Sequence, residues 1–289
     1  MKRRNFILST ITIAAGTRYF PLNACSHKSK MEEYGIILSS LKEEVQENPE
    51  EVFKQLSEAG YTYIESIGRY GIPAEHTMPH IKKYGLISIT TGDGMSGLLN
   101  NTDHYLQIAE TYDLPYIVCY YPWTHSAENL TREQCIEATD NLNQFAKIAH
   151  DNGRKFAWHN HHKEFRPLED GTLPFDIIME HTDKNLVNLE LDIFWVKHAG
   201  YEPLQIMEQY GDRITILHLK DMRAGEEKKN TAPGKGIIDF KPILEKKNQT
   251  ATEYLIVEFA GDDLGLKDAI KSLEYLILLY NYKSSLKPV

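Results

Sequence analysis

The chain has 289 residues, 25% charged and 42% hydrophobic, the proportions of a globular protein with a sizeable core. Its net charge of −9 argues against a nucleic-acid partner, which requires a basic face; the pairs Lys228–Lys229 and Lys246–Lys247 are isolated and read as solvated. The length admits two small domains or one large one, and α/β barrels reach about 250 residues as a single unit.

The first thirty residues read as targeting, not fold. Lys2–Arg3–Arg4–Asn5–Phe6–Ile7 resembles a twin-arginine export signal, followed by a modest apolar stretch from Phe6 to Ala15. Leu22–Asn23–Ala24–Cys25 resembles a lipoprotein cleavage box, in which Cys25 becomes the acylated first residue. Residues 1–24 are then the export signal and 25–33 a tether, placing the protein in the periplasm or on a membrane through its lipid. The alternative is a frayed basic N-terminus, since the apolar stretch is short and interrupted by Thr. No later segment approaches eighteen consecutive apolar residues, so no transmembrane helix is expected. With Cys25 lipidated, Cys119 in a strand-like run and Cys135 in a helix read as small buried residues, not a bridge.

From Tyr34 onward, strands and helices alternate. Tyr34–Leu38 reads as a strand, and Pro49–Ala59 as a helix stopped by Gly60. Tyr61–Ile67 is a second strand, Pro73–Tyr84 a helix, and Leu86–Thr91 a third strand running into Gly92–Asp93–Gly94. Helix Asn101–Tyr112 precedes strand Pro115–Tyr120 and the aromatic loop Tyr121–Pro122–Trp123. A capping box, Thr131 with Gln134, opens a long helix that Gly153 ends. Four apolar strands follow, with helices near Pro174–Glu180, Pro203–Tyr210 and Phe240–Glu245 between them and Leu266–Tyr280 after the last. Eight such units with short connections predict one domain over 34–289, a closed (β/α)8 TIM barrel of the α/β class. The long polar loop Asp221–Gly236 is either an active-site flap or a surface excursion.

Those four late strands each run into an acid or a histidine. Phe156–Ala157–Trp158 leads to His159, His161 and Glu164; Leu186–Leu191 to Asp192; Ile214–Leu217 to His218; Tyr254–Val257 to Glu258. A buried strand cannot keep a charge without a partner, and the C-terminal strand ends of such a barrel share one mouth. Glu65 falls at the same level. A divalent metal is the simplest common partner, and carboxylate with neutral imidazole suits Mn²⁺, Co²⁺, Mg²⁺ or Zn²⁺. Of the other conspicuous residues, Lys220 either holds a substrate hydroxyl or pairs with Asp221. Trp195 and Trp123 either stack on a sugar ring or belong to the core. Glu65 is either a substrate hydrogen-bonder or a partner for Arg69. His76, His80, His104 and His125 read as surface or packing residues.

At these same residues the chain resembles the xylose isomerase-like barrel superfamily, often labelled sugar phosphate isomerase/epimerase. The resemblance spans roughly Tyr34–Tyr282 and rests on Trp158–Phe165, Leu189–Val196, His218–Asp221, Gly234–Phe240 and Ile256–Glu258. It implies one divalent metal held by a Glu, an Asp, a His and a Glu. Asp192, His218 and Glu258 match the last three. Many epimerases carry the first Glu inside the fifth strand, where this chain has His159; Glu164 is favoured as its replacement, with His159 or His161 otherwise. Trp195 stands three residues after Asp192, where epimerases often carry a substrate-binding His, which separates this chain from straightforward ketose 3-epimerases. Apurinic endonucleases share the barrel, but they gather three zinc ions and carry a basic face.

These residues imply an enzyme that acidifies a C–H beside a metal-held oxygen and passes through an enediolate. Proton return gives isomerisation or epimerisation; loss of a β-substituent gives dehydration or cleavage of a 3-keto-glycoside. Glu258 is the candidate ligand and base together, with Glu164 or His161 as second acid/base. Outside the cytoplasm phosphorylated sugars are scarce, so an unphosphorylated sugar, keto-sugar or glycoside is the expected substrate. The rival of a different class is a lipid-anchored sugar-binding protein without turnover. The sequence leaves a homo-oligomer open.

Overall fold

Eleven strands carry the described chain. In order they are β1 (Tyr34–Ile37), β2 (Tyr63–Glu65), β3 (Ile87–Ser88), β4 (Thr90–Gly94), β5 (Tyr116–Tyr121), β6 (Lys155–His159), β7 (Val187–Asp192), β8 (Ile214–Leu219), β9 (Asp221–Met222), β10 (Asn230–Thr231) and β11 (Tyr254–Val257). The computed structural model describes residues 32–125 and 129–285, so the export signal, Cys25 and most of the tether lie outside the described residues. Nine strands form one parallel sheet in the order β3-β2-β1-β11-β8-β7-β6-β5-β4, and β9 pairs antiparallel with β10.

The two ends of that order are halves of one strand. The run expected as Leu86–Thr91 bends at Ile89: β3 pairs with β2 and β4 with β5. Ile89 joins them, its N–H donating to Ile64 O at 3.0 Å and its carbonyl accepting from Tyr116 N at 3.1 Å. Beyond the bend, threonine hydroxyls carry part of the seam. Ser66 N donates to Thr90 Oγ1, and Thr91 Oγ1 donates to Ile67 O, both at 2.8 Å. Counting the bent strand once gives the eight-stranded (β/α)8 barrel. Gly92 lets β4 approach β5, since a Cβ there would lie 2.0 Å from Val118 O.

The helices form for the reasons their sequences state. Asn48 caps Pro49–Ala59 by accepting from Glu51 N, and Gly60 ends it at φ +104. Thr131 and Gln134 make the capping box of Arg132–Asp151 in full. Short helices Lys42–Glu47, Met95–Asn100 and Ile193–His198 add to the expected set. No helix among the described residues is long and apolar enough to cross a membrane. Cys119 and Cys135 are free and buried.

Burial divides into two layers. A large cluster fills the space between sheet and helices, while Ile37, Ile89, Val118, Ala157, Ile216 and Ile256 pack inside the barrel. Side chains on a strand alternate between these layers, so the residue two positions beyond each lumen residue faces the mouth. That alternation places the site.

Asp221 faces away from the lumen and organises the loop after β8. Its Oδ1 accepts from Met222 N and Ile238 N, and its Oδ2 from Gly234 N and Gly236 N, all at 2.8–3.0 Å. Gly236 must lack a side chain, because a Cβ would lie 2.3 Å from Asp221 Oδ1. The loop of residues 222–236 is thus pinned at both ends by one carboxylate. Asp221→Ala leaves four N–H groups without it and should lower stability by about 2–4 kcal/mol, read by denaturant unfolding, with new proteolytic cleavage inside 222–236.

Candidate metal centre at the strand ends

Three lumen strands each contribute two successive inward residues: Ala157 then His159 on β6, Glu190 then Asp192 on β7, and Ile216 then His218 on β8. Lys220 and Glu258 continue β8 and β11 by the same step of two. His159, Asp192, His218 and Glu258 bring one ligand atom each within 4.8 Å of one another, and Glu65, Glu190 and His218 do the same one level below. Five of the six side chains are buried; Glu258 is the most exposed, at 14%.

The contacts form one network. His159 Nδ1 lies 2.9 Å from Glu190 Oε1, and its Nε2 3.8 Å from Asp192 Oδ2. His218 Nε2 lies 3.1 Å from Glu65 Oε2 and 3.2 Å from Glu190 Oε1, while its Nδ1 is 2.7 Å from Glu258 Oε2. Lys220 Nζ donates to Glu258 Oε1 at 2.8 Å and stands 3.8 Å from Asp192 Oδ2. Tyr120 OH donates to the other oxygen of Glu65 at 2.8 Å.

Charge in this network is unbalanced. Burial, with the neighbouring His218 and His161, holds the His159 imidazole well below its ordinary pKa, so it is neutral. Burial opposes charge on His218, but Glu65 and Glu190 outweigh it and hold the ring protonated. Burial likewise opposes the Lys220 ammonium, and Glu258 and Asp192 restore it. Four carboxylates therefore face two fixed cations. Burial pushes the Glu190 and Asp192 carboxyls up, toward taking protons in place of the missing positive charge. Glu258 is the opposite case: burial raises it, but Lys220 and His218 together bring it well below the usual carboxylate range.

The donor set fits a divalent cation. Asp192 Oδ2 is buried among these groups with no hydrogen-bond partner, an arrangement that costs free energy unless something positive occupies the space beside it. Two imidazoles and two carboxylates suit Zn²⁺, Mn²⁺ or Co²⁺ better than Ca²⁺, and His159, Asp192, His218 and Glu258 are the residues that would hold it.

Asp192, His218 and Glu258 converge as the sequence led one to expect; Glu164 does not join them. It is buried on the turn Lys163–Phe165, accepting from Trp123 Nε1 at 3.0 Å and from His161 N at 2.9 Å, and His159 takes the fourth place. Its carboxyl is pushed up to about 7 by burial. His161 sits between His159 and Trp195, ring centroids 4.9 and 5.3 Å away, with Nδ1 buried and unpartnered and its pKa driven down to about 3 by burial. Trp123 is core. Trp195 is half-buried beneath Lys220, His161 and His162, and its Nε1 has no partner. Glu65 pairs with His218, not Arg69, which lies over the Tyr120 ring instead. Lys220 pairs with Glu258, because Asp221, its neighbour on the strand, faces the other side. Glu190 and Tyr120 complete the network without having been singled out. The signal for Glu190 was present: two acids two apart on one strand share a face.

Comparison with known proteins agrees with the fold. A sugar phosphate isomerase/epimerase from Parabacteroides distasonis superposes with a TM-score of 0.71 at 22% identity, covering 89% of this chain and 97% of that one. The IOLI protein with a bound zinc atom superposes with a TM-score of 0.67 at 16% identity, covering 87% and 99%. Among curated relatives, the inosose dehydratase of Clostridium perfringens is 30% identical over 167 residues, 51% of this chain; the match spans about half, 55%, of that relative's length. Residues 50–277 match the family described as Xylose isomerase-like TIM barrel, and the chain belongs to that family.

Proposed function

We propose that this barrel is a divalent-metal-dependent enzyme acting on an unphosphorylated polyhydroxylated carbonyl compound, and that it eliminates a β-oxygen substituent after abstracting the proton beside the carbonyl. One observation carries the reading: an unbalanced, largely buried cluster of His159, Asp192, His218 and Glu258 at the strand ends, with Asp192 Oδ2 lacking a hydrogen-bond partner. The dehydratase relative favours elimination over isomerisation or epimerisation, and the zinc-bound IOLI structure supports the metal.

When bound, a divalent cation polarises the carbonyl and acidifies the neighbouring C–H. The chain's residues supply the rest. Glu258 is the most exposed member of the cluster, so substrate reaches the site past it, and its low pKa keeps it ionised. It takes the carbon-bound proton; the C–H electron pair becomes the enediolate double bond. The Lys220 ammonium stands beside it and stabilises negative charge on the enediolate oxygen. Departure of the β-oxygen with its bonding pair forms the unsaturated ketone, and the leaving oxygen takes a proton from an acid at the mouth. Glu164, buried on the turn after β6 with a pKa of about 7, is the candidate for that acid. Trp195 and its unpartnered Nε1 form a wall for the ring and one hydroxyl.

If the N-terminal export signal is used, the enzyme works outside the cytoplasm on free keto-sugars, inososes or 3-keto-glycosides, tethered through Cys25. Incubating purified protein with these compounds, with Mn²⁺, Co²⁺ or Zn²⁺ and after chelation, tests the reading by NMR. Cation-dependent appearance of an unsaturated ketone is the expected result. A sugar that binds without turnover under every cation would support the anchored binder instead.

A further inference from the structure

We infer that Glu190 and Glu65 are positioning residues that fix opposite tautomers on the two imidazoles of the metal centre, and that they are not ligands of a second cation. The inference rests on the metal reading above. Each imidazole of the cluster is divided between two levels. His159 turns Nδ1 to Glu190 and Nε2 toward Asp192; His218 turns Nε2 to Glu65 and Glu190 and Nδ1 toward Glu258. An imidazole with its N–H held by a carboxylate presents a lone pair at the other nitrogen, and such outer carboxylates orient the ring and raise its basicity. Glu190 Oε1 alone lies within 3.2 Å of both rings, so a single oxygen sets both. Glu65 supports it from the other side of His218, with its second oxygen occupied by Tyr120 OH.

The strand period explains why one strand does both tasks. Asp192 and Glu190 are two residues apart on β7, so both face the lumen, one at the level of the mouth and one a layer deeper. At the deeper level Glu65, Glu190 and His218 are all fully buried. The two imidazole nitrogens that face this level, His159 Nδ1 and His218 Nε2, already lie against these carboxylates, the second of them between both. A shared proton satisfies that geometry with no cation.

The test uses Co²⁺ as the probe, titrated into wild-type protein and into Glu190→Gln, Glu190→Ala and Glu65→Gln, with competition by a chelator and the visible absorption of the bound ion recorded. Wild type should bind one Co²⁺ per chain. Glu190→Gln should keep that stoichiometry while weakening affinity about 10–100-fold and altering the Co²⁺ spectrum, with Glu190→Ala weaker still and Glu65→Gln affected less. Wild-type protein selectively ¹⁵N-labelled at histidine keeps the test independent of how the variants fold. Loaded with Zn²⁺, it should show Nδ1–H on His159 and Nε2–H on His218. Two Co²⁺ per wild-type chain with one lost in Glu190→Gln, unchanged affinity and spectrum in that variant, or the reverse tautomers would each overturn the inference. A wild type that binds no Co²⁺ would overturn the metal reading, and this inference with it.

Discussion

Glu258→Gln should lower kcat by about 10³-fold or more while leaving a folded protein that still takes up substrate. The position is the one where the network comes nearest to solvent: Glu258 holds Lys220 through one oxygen and His218 through the other, and it is the most exposed of the cluster. Glutamine preserves the volume and can still accept from Lys220, so packing of β11 against β8 and β1 survives. What it cannot do is take a proton from carbon or contribute a negative charge to the cation. The check is kcat at saturating substrate and cation, beside the melting temperature and substrate affinity. A variant with near-wild-type turnover would remove Glu258 from the chemistry.

Lys220→Met should act in opposite directions on stability and on cation affinity. In the cation-free protein, the ammonium offsets Glu258 at 2.8 Å and Asp192 at 3.8 Å inside a largely buried site. Removing it strands a buried carboxylate, and breaking a buried pair in this way costs about 3–5 kcal/mol. The same ammonium repels any divalent ion placed among His159, Asp192, His218 and Glu258. Its loss should therefore tighten Co²⁺ binding by about tenfold or more, since like charges a few ångströms apart interact at the level of kcal/mol even at high effective dielectric. Turnover should fall about 10²–10³-fold, because no fixed cation remains at the enediolate oxygen. Unfolding curves with and without Co²⁺, and a chelator competition, measure both signs. Weaker Co²⁺ binding in Lys220→Met would mean that the lysine assists the cation, contrary to the charge balance described above.

Much of the site was legible because an acid or histidine ending an apolar strand is costly without a partner. Asp192, His218 and Glu258 all stand in that position. The barrel was legible from the alternation of strands and helices, but the bend at Ile89 was not. It arises from pairing with β2 on one side and β5 on the other, which no local pattern encodes. Glu190 was missed because it lies inside its strand, where only the period of two reveals that it shares a face with Asp192. Glu164 lies apart from the cluster for the reverse reason. Its spacing suited a ligand, yet the turn after β6 folds it under Trp123, and that contact joins residues 41 apart in the chain. The pairing of Lys220 was decided by the same alternation, since adjacent residues on a strand point to opposite faces and Asp221 is drawn outward to four backbone N–H groups.

The most direct measurement is hydrogen exchange at substrate carbons in D₂O, followed by NMR across free sugars, inososes and 3-keto-glycosides with Mn²⁺, Co²⁺ or Mg²⁺ and after chelation. A metal centre that removes a proton beside a carbonyl requires deuterium to enter at one carbon, only with cation present, and not with Glu258→Gln. Product formation without any cation, or carbon exchange that persists in Glu258→Gln, would contradict it.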